Sequence, residues 1–395
     1  MNEREAKERV VSAGIRLVQS GLIARTWGNV SCRISDSHFA ITPSGRDYLT
    51  LTPEEIVTVA IADLSYSGDI KPSGEKAVHA EIYNNDPNVN FVIHTHQDNA
   101  SVISAIGLNT ICVDSSYPLL GEEVICASYG LPGTKKLRKG VAEALEQSKG
   151  NAIIMRNHGA VCFGKDEEEA FLVALDLETA CNKFIEGQYK KIKNTINFNP
   201  NEMRQYVLAQ ITRKWKNNSY ESIRPYCNSE RTADGFILHV KNNRPIPVKF
   251  EQLGGPFPKE IVIHNEIYRR NKNINYIIHS DEPNVLCVSQ ANVTLYPYVD
   301  DFAQIVGTKV RTLPNNSTRI AKALKRSSAV MIGNNGALCC GTSKGDALAV
   351  QMILEKNCKA YICGTLFGGV KPLSKVDSKL MRIVYLKKYS KQIHE

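Results

Sequence analysis

VHAEIYNNDPNVNFVIHTHQDN, residues 78–99, returns in the second half of the chain as IHNEIYRRNKNINYIIHSDEPN, residues 263–284. The shared Glu-Ile-Tyr aligns the two stretches without a gap. A second pair follows in the same order: IIMRNHGAVCFG, residues 153–164, against VMIGNNGALCCG, residues 330–341, each leading into a long helical stretch. Self-similarity over such a length marks a repeated fold, so the two halves read as copies of one domain. The length agrees, because 395 residues exceed what one ordinary hydrophobic core serves. The polar stretch 217–222 is the place for the join, giving domains at 1–217 and 218–395.

Within the first copy the apolar spacing predicts an α/β alternation. Val10, Val11, Ile15, Leu17 and Val18 form a helical stripe that Gly21 ends. Short strands are expected at 30–34, 39–41 and 56–62, and a helix from about Glu75 to Asn84. Phe91-Val92-Ile93 reads as a buried strand running directly into His94. A helix at 135–147, a strand at 152–155, and helices at 167–189 and 201–216 complete the domain.

Composition excludes several classes. Apolar residues make up 43% and charged residues 23%, the balance of a globular protein. No apolar run is long enough to cross a bilayer, and residues 1–9 alternate acid and base rather than forming a signal sequence, so a cytoplasmic protein without membrane partners is expected. The eleven cysteines are scattered, with no C-x-x-C pair, and read as reduced thiols. The formal charge is +9, but the basic residues are spread out, and Lys190, Lys191 and Lys193 sit on an amphipathic helical stretch. No nucleic-acid motif accompanies them; the excess points instead to attraction of anionic substrates.

His94-Thr95-His96 ends an apolar strand, and strand alternation places the two imidazoles on one face. His158, in Asn157-His158-Gly159, also follows an apolar strand, and the glycine lets the backbone pass close to a site. Three imidazoles leave open positions on a metal, the layout of a catalytic zinc rather than a structural one. Glu75 follows Pro72-Ser73-Gly74 at a helix entrance, where backbone N–H groups can hold phosphate. Gly28-Asn29-Val30-Ser31 and Thr42-Pro43-Ser44-Gly45 are two more glycine and hydroxyl turns, and the three together suggest a phosphate pocket beside the metal.

That ordered series of motifs resembles the class II aldolase/adducin-head family, over residues 1 to about 217. The resemblance implies a three-layer α/β/α domain, here duplicated in tandem, with one Zn2+ per chain on His94, His96 and His158. It implies phosphate binding by Gly28, Asn29, Ser44, Gly45, Ser73 and Gly74, and an acid/base role for Glu75, with a pKa raised by a closed pocket. The expected activity is cleavage of a phosphorylated ketose to dihydroxyacetone phosphate and an aldehyde through an enediolate. A dehydratase, epimerase or decarboxylase uses related chemistry, and Glu75 where epimerases carry Asp tilts away from epimerisation. A non-catalytic adducin-head-like binding module is the alternative of another class.

The departures are specific. Gly74 fills a place where the family often has a second serine, and the family's assisting tyrosine has no match: the register falls near Ser115, with Asp114 and Tyr117 beside it. In the second copy His279 aligns with His94, Asp281 with His96, Asn335 with His158 and Glu260 with Glu75; Pro258 replaces Ser73, and the Gly-Asn-Val-Ser turn has no counterpart. This copy is expected to bind no metal and to be non-catalytic. Family active sites lie between subunits of a four-fold ring, so the resemblance implies a homo-oligomer in which two tandem chains imitate a tetramer.

Overall fold

The computed structural model describes residues 1–23, 27–213, 227–240, 244–251 and 260–389, the side chains of 388 and 389 excepted. Two compact units emerge, Met1–Thr195 with Leu386–Glu395, and Ile196–Tyr385. The expected join at 217–218 lies outside the described residues.

In the first unit β1 (Gly28–Arg33), β2 (His38–Ile41), β3 (Val57–Ala60), β4 (Phe91–Thr95), β5 (Thr110–Cys112), β6 (Glu123–Ala127), β7 (Ala152–Met155) and β8 (Gly159–Gly164) form one sheet. Its order is β3-β2-β1-β4-β8-β7-β6-β5. Every neighbouring pair is antiparallel except β6 and β7. The helices are α1 (Glu3–Gln19), α2 (Lys76–Asn85), α3 (Asp98–Ile106), α4 (Lys135–Leu145) and α5 (Glu167–Lys193). Val78 and Ile82 of α2 and Leu137 and Val141 of α4 pack on Val92, Val161 and Phe163 from one face of the sheet. Helix α1 packs on β1 and β2, and α5 on β4 and β8. All five residues of β4 are buried, which is why its sequence is a continuous apolar run rather than an alternation.

Local sequence explains the helix ends. Asn2 caps α1 by accepting from the Glu5 N–H at 2.8 Å, and Gly21, just past the C-cap, has a φ of 72°. Helix α5 carries Glu167, Glu168 and Glu169 in its first turn and Lys190, Lys191 and Lys193 in its last, so the basic cluster complements the helix dipole. Helix α3 and strands β5, β6 and β8 are additions to the sequence reading. Of these β8 matters most, because it lies beside β4.

The second unit repeats this plan. Its strands are β9 (Cys227–Arg231), β10 (Gly235–Val240), β11 (Ile246–Lys249), β12 (Tyr276–Ser280), β13 (Thr294–Leu295), β14 (Val310–Leu313), β15 (Ala329–Ile332) and β16 (Ala337–Gly341). Their order is β11-β10-β9-β12-β16-β15-β14-β13, strand for strand that of the first sheet, and the parallel pair is again the equivalent one, β14 with β15. Even the register repeats: His94 faces Val161 across β4–β8, and His279 faces Leu338 across β12–β16. The helices are α6 (Pro200–Ile211), α7 (Glu260–Arg270), α8 (Pro283–Gln290), α9 (Ser317–Ala323), α10 (Lys344–Leu366) and α11 (Lys375–Val384). Helix α6, expected at 201–216, packs on α8 and α10 but ends at Ile211, where Thr212 turns extended as its C-cap; residues 214–216 lie outside those described. All eleven cysteines are free thiols, with Cys339 and Cys340 buried in β16. Among the described residues no helix is long and apolar enough to cross a membrane.

Candidate metal centre

His94 sits near the end of β4, His96 one residue beyond it, and His158 in the turn joining β7 to β8. That turn is tight: Asn157 has a φ of 58°, and a Cβ on Gly159 would come within 2.2 Å of the Thr95 carbonyl oxygen. Only glycine lets β8 pass so close to β4, and that approach brings His158 to the other two. One ligand nitrogen from each ring lies within 4.8 Å of the others, and His94 Nε2 is 3.0 Å from His96 Nε2. The His94 and His158 rings stack at 4.8 Å, and His96 meets both edge-on.

The chemistry of this donor set fits a divalent ion. His94 Nδ1–H donates to the Ala160 carbonyl at 2.9 Å, which fixes the tautomer and leaves the Nε2 lone pair facing its neighbours. Burial pushes the His94 pKa well below its ordinary value, against the pull of Glu75. Ligand nitrogens about 2.0–2.1 Å from a tetrahedral zinc lie roughly 3.3 Å apart, close to the 3.0 Å between His94 Nε2 and His96 Nε2.

Glu75 is the N-cap of α2, and its carboxylate faces the triad, with Oε2 3.2 Å from His94 Nε2 and Oε1 2.8 Å from His158 Nε2. Burial works against its charge, but the imidazoles of His94 and His158 and the hydrogen bonds from His158 and Asn29 outweigh it, holding the carboxyl well below its ordinary value. This is the reverse of the raised pKa expected from a closed pocket. Facing donors, rather than desolvation, decide the direction.

The three turns come together through the backbone. Ser44 N–H donates to Lys71 O at 2.9 Å, Ser73 N–H to Thr42 O at 3.0 Å, and Thr42 N–H to Val30 O at 3.0 Å. Gly28, with a φ of 127°, lies against β4, where a Cβ would meet the His94 carbonyl oxygen at 2.6 Å. Ser73 is buried and its Oγ accepts from the Glu75 N–H at 3.2 Å, whereas Gly74 is exposed and Ser44 and Gly45 are half-buried. Asn29 is buried and donates from Nδ2 to Glu75 Oε2 at 3.0 Å. Asp114 accepts from the Ser116 N–H at 2.9 Å within its own turn, and the Tyr117 ring lies 4.8 Å from Lys183 Nζ.

A buried polar cluster beneath Glu75 was not singled out from the sequence. Ser31 Oγ on β1 lies 2.6 Å from His79 Nδ1 and 2.7 Å from the Tyr83 hydroxyl, both on α2. The signal was present, since His79 and Tyr83 both recur in the aligned stretch as His264 and Tyr268. Arg33 closes the cluster by donating to Val89 O, Tyr83 O and Asp86 O at 2.7–3.0 Å.

The second unit keeps that cluster. Ser229 Oγ lies 2.7 Å from His264 Nδ1 and 2.8 Å from the Tyr268 hydroxyl, and Arg231 donates to Ile274 O, Tyr268 O and Asn271 O. Strand β9 is therefore the counterpart of β1, and the Gly-Asn-Val-Ser turn is altered rather than missing: Cys227 takes the place of Asn29. His279 Nδ1 lies 3.5 Å from Glu260 while its Nε2 donates to the Asn335 backbone oxygen at 2.7 Å, the reverse of His94, whose Nδ1 bonds a backbone carbonyl and whose Nε2 faces the carboxylate. Asp281 is exposed, and Pro258 lies outside the described residues.

Both halves of the chain carry a sequence pattern shared with known proteins. The sequence pattern of the family described as Class II Aldolase and Adducin N-terminal domain matches residues 8–185 and again 228–362. A 5-deoxy-D-ribulose 1-phosphate aldolase of Bacillus thuringiensis is 30% identical over 176 residues, covering 44% of this chain and 82% of that protein. An L-fuculose phosphate aldolase of Methanococcus maripaludis is 35% identical over 154 residues, covering 38% and 80%. The solved structure of an L-fuculose 1-phosphate aldolase aligns with a TM-score of 0.44 at 25% identity, covering 51% of this chain and 93% of its own.

Proposed function

Because the chain belongs to the class II aldolase and adducin N-terminal domain family, we propose that its first domain is a zinc-dependent aldolase that cleaves a ketose phosphate into dihydroxyacetone phosphate and an aldehyde. The observation that carries this reading is a set of three buried histidines facing one half-buried carboxylate, Glu75. The name of the Bacillus thuringiensis relative favours a ketose 1-phosphate as substrate.

His94, His96 and His158 would hold the ion, and its chemistry is Lewis-acid stabilisation of negative charge developing on the substrate oxygens. Glu75, held as the carboxylate, is the base that accepts the proton of the hydroxyl β to the ketone. The carbon–carbon bond between those groups breaks, its electron pair stays on the ketone side, and the new carbonyl leaves as the aldehyde. Glu75 then returns the proton to the carbon that kept the electron pair, which yields the triose phosphate. The joined turns carrying Gly28, Asn29, Ser44, Gly45, Ser73 and Gly74 take the phosphate, with the Asn29 amide and the Ser44 and Ser73 hydroxyls as donors, since the Ser44 and Ser73 N–H groups are bonded to Lys71 O and Thr42 O. The second domain takes no part in bond cleavage, since Asp281 and Asn335 replace two of the three ligands.

The test is a panel of ketose 1-phosphates and 5-phosphates given to zinc-loaded protein, with release of dihydroxyacetone phosphate and aldehyde measured. Cleavage abolished by chelation and restored by zinc is expected. A protein that takes up no transition ion, or that releases water or carbon dioxide instead, removes the aldolase reading.

A further inference from the structure

We infer that His79 is a positioning residue for Glu75, acting through Asn29 at the end of a one-way chain of hydrogen bonds that begins at Tyr83; this rests on the aldolase reading for the role of Glu75. The members are Tyr83, Ser31, His79, Asn29 and Glu75, and the first four are at most 5% exposed. Contacts of 2.7 Å, 2.6 Å and 3.0 Å link Tyr83 to Ser31, Ser31 to His79, and Asn29 to Glu75, with a further short contact between His79 Nε2 and Asn29 Oδ1.

The direction of every link is forced by the one before it. A carboxylate only accepts, so Asn29 must turn its NH2 to Glu75 and its carbonyl oxygen to His79. His79 Nε2 must then carry a proton. Burial lowers the His79 pKa to about 4, so the ring is neutral and Nδ1 is a bare acceptor. Ser31 therefore donates to Nδ1, and its oxygen accepts from the Tyr83 hydroxyl. All the dipoles point at Glu75, and each bond polarises the next. The amide of Asn29 is locked in the orientation that presents an N–H to the carboxylate, and one N–H is left for a substrate phosphate.

The second unit is the internal control. Ser229, His264 and Tyr268 reproduce the first links. The link that touches the carboxylate is Cys227 instead of Asn, with its sulfur 4.0 Å from Glu260 Oε2. Among the described residues His264 Nε2 has no hydrogen-bond partner. The part shared by both copies holds α7 or α2 to its sheet; among the described residues, the continuous extension from histidine to carboxylate occurs only in the copy with the histidine triad.

Two substitutions separate positioning from packing. A Gln amide nitrogen reaches the place of Nε2, whereas an Asn amide reaches only that of Nδ1. With zinc content equal to wild type, His79→Asn should lower kcat about tenfold or more with little change in KM, as loss of a supporting partner does. His79→Gln should recover most of it. Equal damage in the two variants, or none in either, overturns the proposal. A second measurement needs no turnover: 15N spectra of the metal-free protein should show His79 as the Nε2–H tautomer. The Nδ1–H tautomer would reverse the chain and end the proposal even if the enzyme cleaves its substrate. Failure to cleave any ketose phosphate, with the Nε2–H tautomer present, would instead remove the functional reading and leave the chain standing.

Discussion

The first sheet and the second carry the same Ser–His–Tyr cluster, the same arginine holding three carbonyls, and the same glycine crossing next to the central strand, yet among the described residues only the first carries a set of metal donors. The retained features are those whose loss strands a buried polar group or forces two backbones together, and both are expensive in any copy of the fold. The lost features are His96, His158 and Asn29, replaced by Asp281, Asn335 and Cys227. None of these is needed to close the sheet. Scaffold and chemistry have separated largely along the line that burial draws; the exception is Asn29, whose replacement by Cys227 leaves the buried His264 Nε2 without a hydrogen-bond partner among the described residues.

That separation can be broken at several points. The largest effect belongs to the ligands: His158→Asn, which copies the second unit, should release the metal and lower turnover by roughly 10⁴-fold. His279→Gln should leave metal content and turnover as they were, and metal analysis beside an aldol-cleavage assay decides between these outcomes. Next comes the carboxylate. Glu75→Gln should keep the ion and lose about a hundredfold to a thousandfold in kcat, while Glu260→Gln should not alter the rate; a fall in both would show that the second copy contributes to catalysis.

Smaller effects test the shared scaffold. Gly159→Ala and Gly336→Ala place a methyl group 2.2 Å and 2.1 Å from a carbonyl oxygen, so each should cost about 3 kcal/mol in its own unit by denaturant unfolding. A cost in one unit only would mean that the two crossings are not equivalent. Ser31→Ala and Ser229→Ala should each remove about 1–2 kcal/mol, because a histidine and a tyrosine lose a buried partner. Of these two, only Ser31→Ala should also reduce kcat.

Much of the site was legible because its residues lie at sequence-local landmarks. His94 and His96 follow a strand at a spacing of two, His158 follows another strand and precedes a glycine, and Glu75 stands at a helix start. What was missed lies in pairings over long separations. Ser31 and His79 look unremarkable alone, and only the packing of α2 across β1 joins them. The Glu75 pKa was misjudged for the same reason: desolvation can be guessed from an apolar neighbourhood, but the opposing donors come from β1, β4 and the turn before β8.

By itself the amino-acid sequence determined the duplication, the α/β alternation, the scattered reduced thiols and the identity of the three imidazoles, because periodicity and turn chemistry act over a few residues. The tertiary structure alone decided which nitrogen of each imidazole faces the others, that Asn29 turns toward Glu75 rather than toward solvent, and that His279 donates to the backbone of Asn335. Those outcomes depend on strand register and on the few ångströms between β4 and β8. Hydrogen-bond direction falls off so steeply with distance and angle that no spacing along the chain can stand in for it.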